Sequence, residues 1–228
     1  MTSQDTPFLS RSVEDYLKAI YGLSELGKAA STSEIAGVLA VQPASVSGMV
    51  KRLAEGGYVQ HLPYRGVKLT PSGLREALRI VRRHRVLETY LSQRLGYSWD
   101  DVHAEAERLE HAASDELIER MASALKYPSH DPHGAPIPTP SGAVDEPAHP
   151  TLAEVGAGRR VVVRAVRDDD RERLRYMETR GLVPGALVQV EARAPFNGPI
   201  ALRVGDGGAP ETIGYELATQ IRVSYADA

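Results

Sequence analysis

No cysteine occurs in this 228-residue chain. Its absence excludes disulfides, thiolate metal sites and cysteine nucleophiles together, so any bound metal has to be held by nitrogen and oxygen. There is no run of eighteen apolar residues either, and no membrane span is expected. The opening ten residues, with Thr2, Ser3, Gln4 and Asp5, lack a basic stretch followed by an apolar one. No secretory signal is therefore read, and a cytoplasmic protein is expected. The length allows two small domains or one large one.

The net charge of −3 conceals an asymmetry. Residues 1–95 carry 13 Lys and Arg against 8 Asp and Glu, residues 96–150 carry 3 against 11, and the remainder balances at 11 and 11. A basic front suits phosphate and an acidic middle suits cations.

The acidic middle contains His103, Glu107, Glu110 and His111, which on one continuous helix fall at i, i+4, i+7 and i+8 and share a face. Imidazole and carboxylate on one stripe suit a divalent transition metal; a solvated acidic helix face is the equally simple alternative. His84 and Glu88, again four apart, lie on a long helix expected from Pro71 to about Leu95 and ended by Gly96. Ser98-Trp99-Asp100-Asp101 resembles a capping box opening the helix with the stripe. A further helix is read from Ser114.

Upstream, Ser12 is read as the N-cap of a helix to about Leu26, ended by Gly27, with Asp15 in its first turn. Residues 31 to 70 read as a winged helix-turn-helix. Ser33 opens a short helix, Val41-Gln42 makes the turn, and Pro43 starts a second helix that Gly56-Gly57 stops. Two short strands, 58–62 and 67–70, flank a wing at Pro63-Tyr64-Arg65-Gly66. In this motif the early positions of the second helix face base edges and neighbouring basic groups bind phosphate. The candidate DNA-contacting residues are Gln42, Ser45, Ser47, Lys51, Arg52 and Arg65. The same geometry also occurs in proteins that bind no nucleic acid.

Seven of the fifteen prolines lie between Tyr127 and Gly158, and the segment reads as an extended, semi-stiff tether. His130 and His133 within it read as surface groups. Residues 159 to 225 read as short strands and one helix, 170–179, punctuated by Gly and Pro, which suggests a small barrel.

Residues 12 to 140 resemble the diphtheria-toxin-repressor family of iron- and manganese-dependent transcriptional regulators. The matching pieces are Glu14-Asp15-Tyr16-Leu17, Pro43-Ala44-Ser45-Val46-Ser47, Tyr64-Arg65-Gly66-Val67, Arg83-His84-Arg85, Glu107-x-x-Glu110-His111-x-x-Ser114-Asp115 and Gly134-Ala135-Pro136-Ile137-Pro138. The last 65 or so residues resemble the SH3-like domain shared with small ferrous-transport proteins, through Arg180-Gly181-Leu182-Val183-Pro184-Gly185 and Ala194-Pro195-x-x-Gly198-Pro199-Ile200.

The resemblance implies a multi-domain α+β chain: a winged helix-turn-helix at 1–71, an all-α dimerisation and metal-binding domain at 72–140, a proline-rich linker at 141–158 and an SH3-like barrel at 159–228. It implies a primary metal site of Asp15, Glu107, Glu110 and His111. An ancillary site of His84, Glu88 and His103 is also implied, to which the SH3-like domain could add Asp170 or Glu172. Asp15 and Glu107 stand where iron-type members carry methionine and cysteine, an exchange of sulfur for oxygen that favours Mn(II) and still permits Fe(II). Lys18 stands where manganese-type members carry a further acidic ligand.

The function so implied is a homodimeric, metal-responsive repressor of a palindromic operator controlling metal uptake. Two rivals differ from it in class. A di-metal enzyme would use the same donors, but the zincin His-Glu-x-x-His pattern is missing and no phosphate loop is visible. A winged-helix regulator could instead answer a small organic ligand.

Overall fold

The computed structural model describes residues 9–24, 28–62, 65–144, 148–167 and 169–226. These fall into two compact units: the residues up to Arg83 with Glu110–Ala112 and Pro138–Ala143, and the rest, His84–Leu109, Ala113–Ile137 and Val144 onward.

In the first unit, α1 (Arg11–Ser24) packs on α2 (Thr32–Leu39), which packs on α3 (Pro43–Glu55). α1 starts at Arg11, where the Ser10 carbonyl accepts from the Val13 and Glu14 amides. Its expected end at Leu26-Gly27 lies outside the described residues. Leu17 and Ile20 on its inner face are fully buried, and each contributes about 1.5–3 kcal/mol on burial.

Ser31, not Ser33, caps α2, because Ser31 and Glu34 form the reciprocal pair in which each side chain bonds the other's backbone amide. β1 (Val59–Leu62) and β2 (Gly66–Leu69) pair antiparallel, and Ala30 bridges to Val67. Of the expected wing tip, Pro63 and Tyr64 lie outside the described residues. α4 (Pro71–Leu95) begins against this ribbon. A side chain at Gly73 would put its Cβ 1.9 Å from the Tyr58 carbonyl oxygen, so only glycine allows that approach.

In the second unit, the later part of α4, α5 (Val102–Leu109) and α6 (Asp115–Ala124) enclose one core of Val86, Leu87, Leu91, Val102, Ala106 and Ile118. A second core lies under a five-stranded antiparallel sheet. Its strands are β3 (Arg160–Val166), β4 (Leu187–Arg193), β5 (Ile200–Val204), β6 (Glu211–Ile213) and β7 (Ile221–Tyr225), in the order β6-β5-β4-β3-β7. α7 (Arg171–Thr179) closes it with the fully buried Leu174 and Met177, and a short α8 (Tyr215–Ala218) precedes β7.

Two expectations are corrected. The stripe His103–His111 is not one continuous helix: α5 ends at Leu109, and Glu110 and His111 sit in the following turn. Their side chains are engaged by α1, which a further helical turn would carry elsewhere. The proline-rich stretch is not an extended, semi-stiff tether throughout, since it folds into a turn at 130–136. Asp131 Oδ1 accepts from the His133 and Ala135 amides at 2.9 Å each, and His130 bridges to Pro136. Gly134, at φ +89°, lets this turn lie against β3, since a Cβ there would meet the Arg164 carbonyl oxygen at 2.0 Å.

Candidate metal centre and nucleic-acid interface

Within the first unit, α1 presents Glu14, Asp15 and Lys18 to the turn that carries Glu110 and His111. His111 Nε2 lies 2.8 Å from Asp15 Oδ1 and 3.4 Å from Glu110 Oε1. Its other ring nitrogen, Nδ1, lies 2.7 Å from Glu14 Oε2. Nδ1 thus faces one carboxylate and Nε2 two others; a ring proton held at Nδ1 would leave the Nε2 lone pair for an ion among them. Asp15, Glu110 and His111 thus offer three donors within 4.8 Å of one another.

Cations already lie against this group, the exposed Arg11 among them at 3.9 Å from Asp15. Lys18 Nζ donates to both Glu110 oxygens, at 2.8 and 3.0 Å, and Arg83 lies 3.6 Å from Glu14. The Glu110 side chain is fully buried.

In the second unit, His84 Nε2, Glu88 Oε1 and His103 Nδ1 form a triangle with sides of 2.9, 3.1 and 3.1 Å. Two donors at right angles about an ion 2.0–2.2 Å away stand roughly 3 Å apart, so this triangle is sized for one transition-metal ion. Beside it, His133 Nδ1 lies 3.8 Å from Glu88 Oε1, while His133 Nε2 lies 2.9 Å from the Trp99 carbonyl oxygen. Glu88, Asp131 and His133 form a further group of metal-capable donors, all three buried. Asp131 also faces Arg85 at 3.6 Å.

Both donor sets fit a hard-to-intermediate divalent ion, being nitrogen and oxygen only, preformed and largely buried. Of the expected primary ligands, the structure gathers Asp15, Glu110 and His111. Glu107 lies in the other unit, its carboxylate 4.0 Å from His103 Nε2. Of the ancillary ligands it gathers His84, Glu88 and His103. It does not bring Asp170 or Glu172 to them: Asp170 caps α7 by accepting from the Arg173 amide and pairs with the Arg173 guanidinium, and Glu172 is exposed.

Sequence reasoning missed Glu14, and it read His133 as a surface group although that side chain is fully buried. The adjacent acids Glu14-Asp15 were the only signal for the first. For the second, Asp131-x-His133-Gly134 was a turn signal left unused.

Asp100, on the loop before α5, is buried. Burial alone would raise its carboxyl, but bonds from Ser98, Arg175 and Arg171 hold it down at about 2. Arg175 Nη2 lies 2.6 Å away, so this one carboxylate ties α7 to the α5 loop within the second unit.

The surface of α3 is open where the helix-turn-helix reading requires it. Gln42, Ser45, Ser47, Lys51 and Arg52 are exposed, as is Arg65 beside the wing, while Val46, Val50 and Leu53 are buried beneath. Pro43 starts the helix with its missing N–H at a position that has no intrahelical acceptor. The N-cap Gln42 makes no side-chain cap bond, and the first turn exposes Pro43, Ala44 and Ser45.

Three family descriptions match along the chain. Residues 8–67 match the iron dependent repressor N-terminal DNA binding domain, residues 70–139 the iron dependent repressor metal binding and dimerisation domain, and residues 151–225 the FeoA domain. The iron-dependent repressor IdeR of Mycobacterium leprae is 32% identical across 93% of this chain and 96% of its own length. The HTH-type transcriptional regulator MntR of Geobacillus kaustophilus is 38% identical across 53% of this chain and 84% of its own. Among solved structures, a manganese-dependent transcriptional repressor complex with manganese superposes with a TM-score of 0.87 at 39% identity, covering 93% of this chain and 99% of that one.

Proposed function

The chain belongs to the iron-dependent repressor family and is a metal-dependent, DNA-binding transcriptional repressor rather than an enzyme; from that premise we propose that its effector is Mn(II), with Fe(II) the alternative, held primarily by Asp15, Glu110 and His111. Glu107 would complete this primary set, and His84, Glu88 and His103 would hold an ancillary ion. The observation that carries the assignment is His111 Nε2 at 2.8 Å from Asp15 and 3.4 Å from Glu110, with Nδ1 already committed to Glu14. The all-nitrogen-and-oxygen donor set favours Mn(II) over softer-ligand ions.

A divalent ion bound there supplies a bond common to α1 and to the Glu110–His111 turn. The chain's own residues do the rest. Leu17 and Ile20 seat α1 in the core that also supports α2 and α3, so fixing α1 fixes the recognition surface of Gln42, Ser45, Ser47, Lys51 and Arg52. The family's second matched region is a dimerisation domain, and two recognition surfaces related by a two-fold axis read a palindromic operator at half-sites about one helical turn apart. We place the domain limits at 1–71, 72–140 and 159–228, with 141–158 connecting them, and the site of action in the cytoplasm, with DNA. Because an empty site would mean weak repression, genes for metal uptake fit as targets.

A DNA-shift titration with operator and Mn(II) tests this. The wild type should bind operator more tightly by a factor of about 5–150 when Mn(II) is present, and Glu110→Ala or His111→Ala should remove that gain. Equal affinity with and without the ion would sink the proposal in favour of a regulator answering an organic ligand.

A further inference from the structure

The Asp15–Glu110–His111 group contains a cation of its own. Lys18 lies one turn along α1 from Asp15, three-quarters or more of its side chain is covered, and its ammonium straddles the two oxygens of Glu110 at 2.8 and 3.0 Å. Glu110 is fully buried, and a buried carboxylate without a partner costs several kcal/mol. Lys18 therefore helps to make a buried Glu110 tolerable before any ion arrives.

Charge bookkeeping sharpens the point. Glu14, Asp15 and Glu110 carry three negative charges, the covered Lys18 and Arg83 return two positive ones, and the exposed Arg11 adds a third at 3.9 Å from Asp15. With His111 bound as a neutral ligand, one divalent ion already brings these charges to a positive balance, and a second would add two more positive charges in a largely buried site. We propose that Lys18 is a built-in cation of the metal centre: it holds Glu110 in the ion-free protein, limits the Asp15–Glu110–His111 group to one divalent ion, and sets that ion's affinity by competing for Glu110. The proposal rests on reading those three residues as metal ligands.

The contact also has a mechanical consequence. Lys18 and Asp15 are both on α1, so the ammonium–Glu110 bond keeps α1 against the Glu110–His111 turn when the ion is missing. The ion then adds to a contact that already exists and does not create it from a detached helix.

The test is a Mn(II) titration of the full-length protein, followed by electron paramagnetic resonance, together with the thermal midpoint of the chelator-treated protein. His111→Ala identifies the ions bound at this group. The wild type should lose one ion on that substitution. Lys18→Met should lower the ion-free midpoint and bind that same ion roughly tenfold more tightly, since its competitor is gone and the uncompensated carboxylate gains more from the ion. Lys18→Glu should take up a second, spin-coupled ion, and Lys18→Arg should keep the wild-type count. If Lys18→Met fails to fold, Lys18→Gln, which retains one donor to Glu110, replaces it.

An unchanged midpoint with equal or weaker Mn(II) binding in the uncharged variant overturns the role of Lys18 alone. Two His111-dependent ions in the wild type overturn it as well. If His111→Ala removes no ion at all, the ligand assignment itself fails, a result distinct from either.

Discussion

His111 shows how much a single side chain's neighbours decide. Imidazole offers two nitrogens, and a metal can use only the one without a proton. Glu14, 2.7 Å from Nδ1, is placed to hold a proton there and itself lies 3.6 Å from Arg83. If His111 is a metal ligand as proposed, Glu14 is a positioning residue. Glu14→Gln, which keeps the volume and removes the charge, should weaken Mn(II) binding at this group by roughly 10- to 100-fold while leaving the affinity for non-specific DNA unchanged. Isothermal titration with both ligands checks it, and parallel losses of both would mark Glu14 as merely structural.

Glu110 and His133 make the same point from the other side. Neither side chain is exposed, and each gains its polar partners from a distant part of the chain.

At the scale of elements, α7 and the loop before α5 are joined through Asp100, which receives Arg175 and Arg171. Its carboxyl titrates at about 2 in the folded protein, below the roughly 3.9 of an unfolded chain. A depressed carboxyl stabilises the fold above its unfolded value, and the contribution disappears as pH falls through the folded one. The difference in urea midpoint between the wild type and Asp100→Asn should therefore be constant above about pH 5 and close between about pH 4 and 2. A difference that persists at pH 2 would assign Asp100 a packing role in place of a charged one.

Elements were also where the sequence was most legible. α3, α4, β5 and α7 begin or end within a residue of what Pro43, Pro71, Ile200 and Asp170 indicated, because a proline at the first turn, a cap or an alternating apolar run acts locally. The α5 boundary was not legible. The heptad-like spacing of His103 to His111 continues through Glu110, but the chain leaves the helix at Leu109, and Glu110 and His111 there meet Lys18 and Glu14 of α1.

At the scale of the molecule, metal and DNA act on one folded population. An ion present at 100 times its dissociation constant stabilises the protein that binds it by about 2.7 kcal/mol, so chelation should lower the thermal midpoint of the whole chain. Linkage further requires that the operator tighten Mn(II) binding by the same factor by which Mn(II) tightens operator binding. Paired titrations of each ligand in the presence of the other measure both factors, and a factor of one in each would mean that metal and DNA are not coupled.

The sequence by itself determined the order of parts, the thiolate-free chemistry of any metal site, and the helices and strands on which His84, Glu88, His103 and the α3 surface stand. Those follow from periodicity, caps and composition, whose physical range is a few residues. Only the tertiary structure decided that Lys18 sits on Glu110 across 92 positions, that Glu14 holds His111 across 97, and that His133 is buried beside Glu88. Such contacts are set by how buried faces pack, and no local pattern along the chain carries that information.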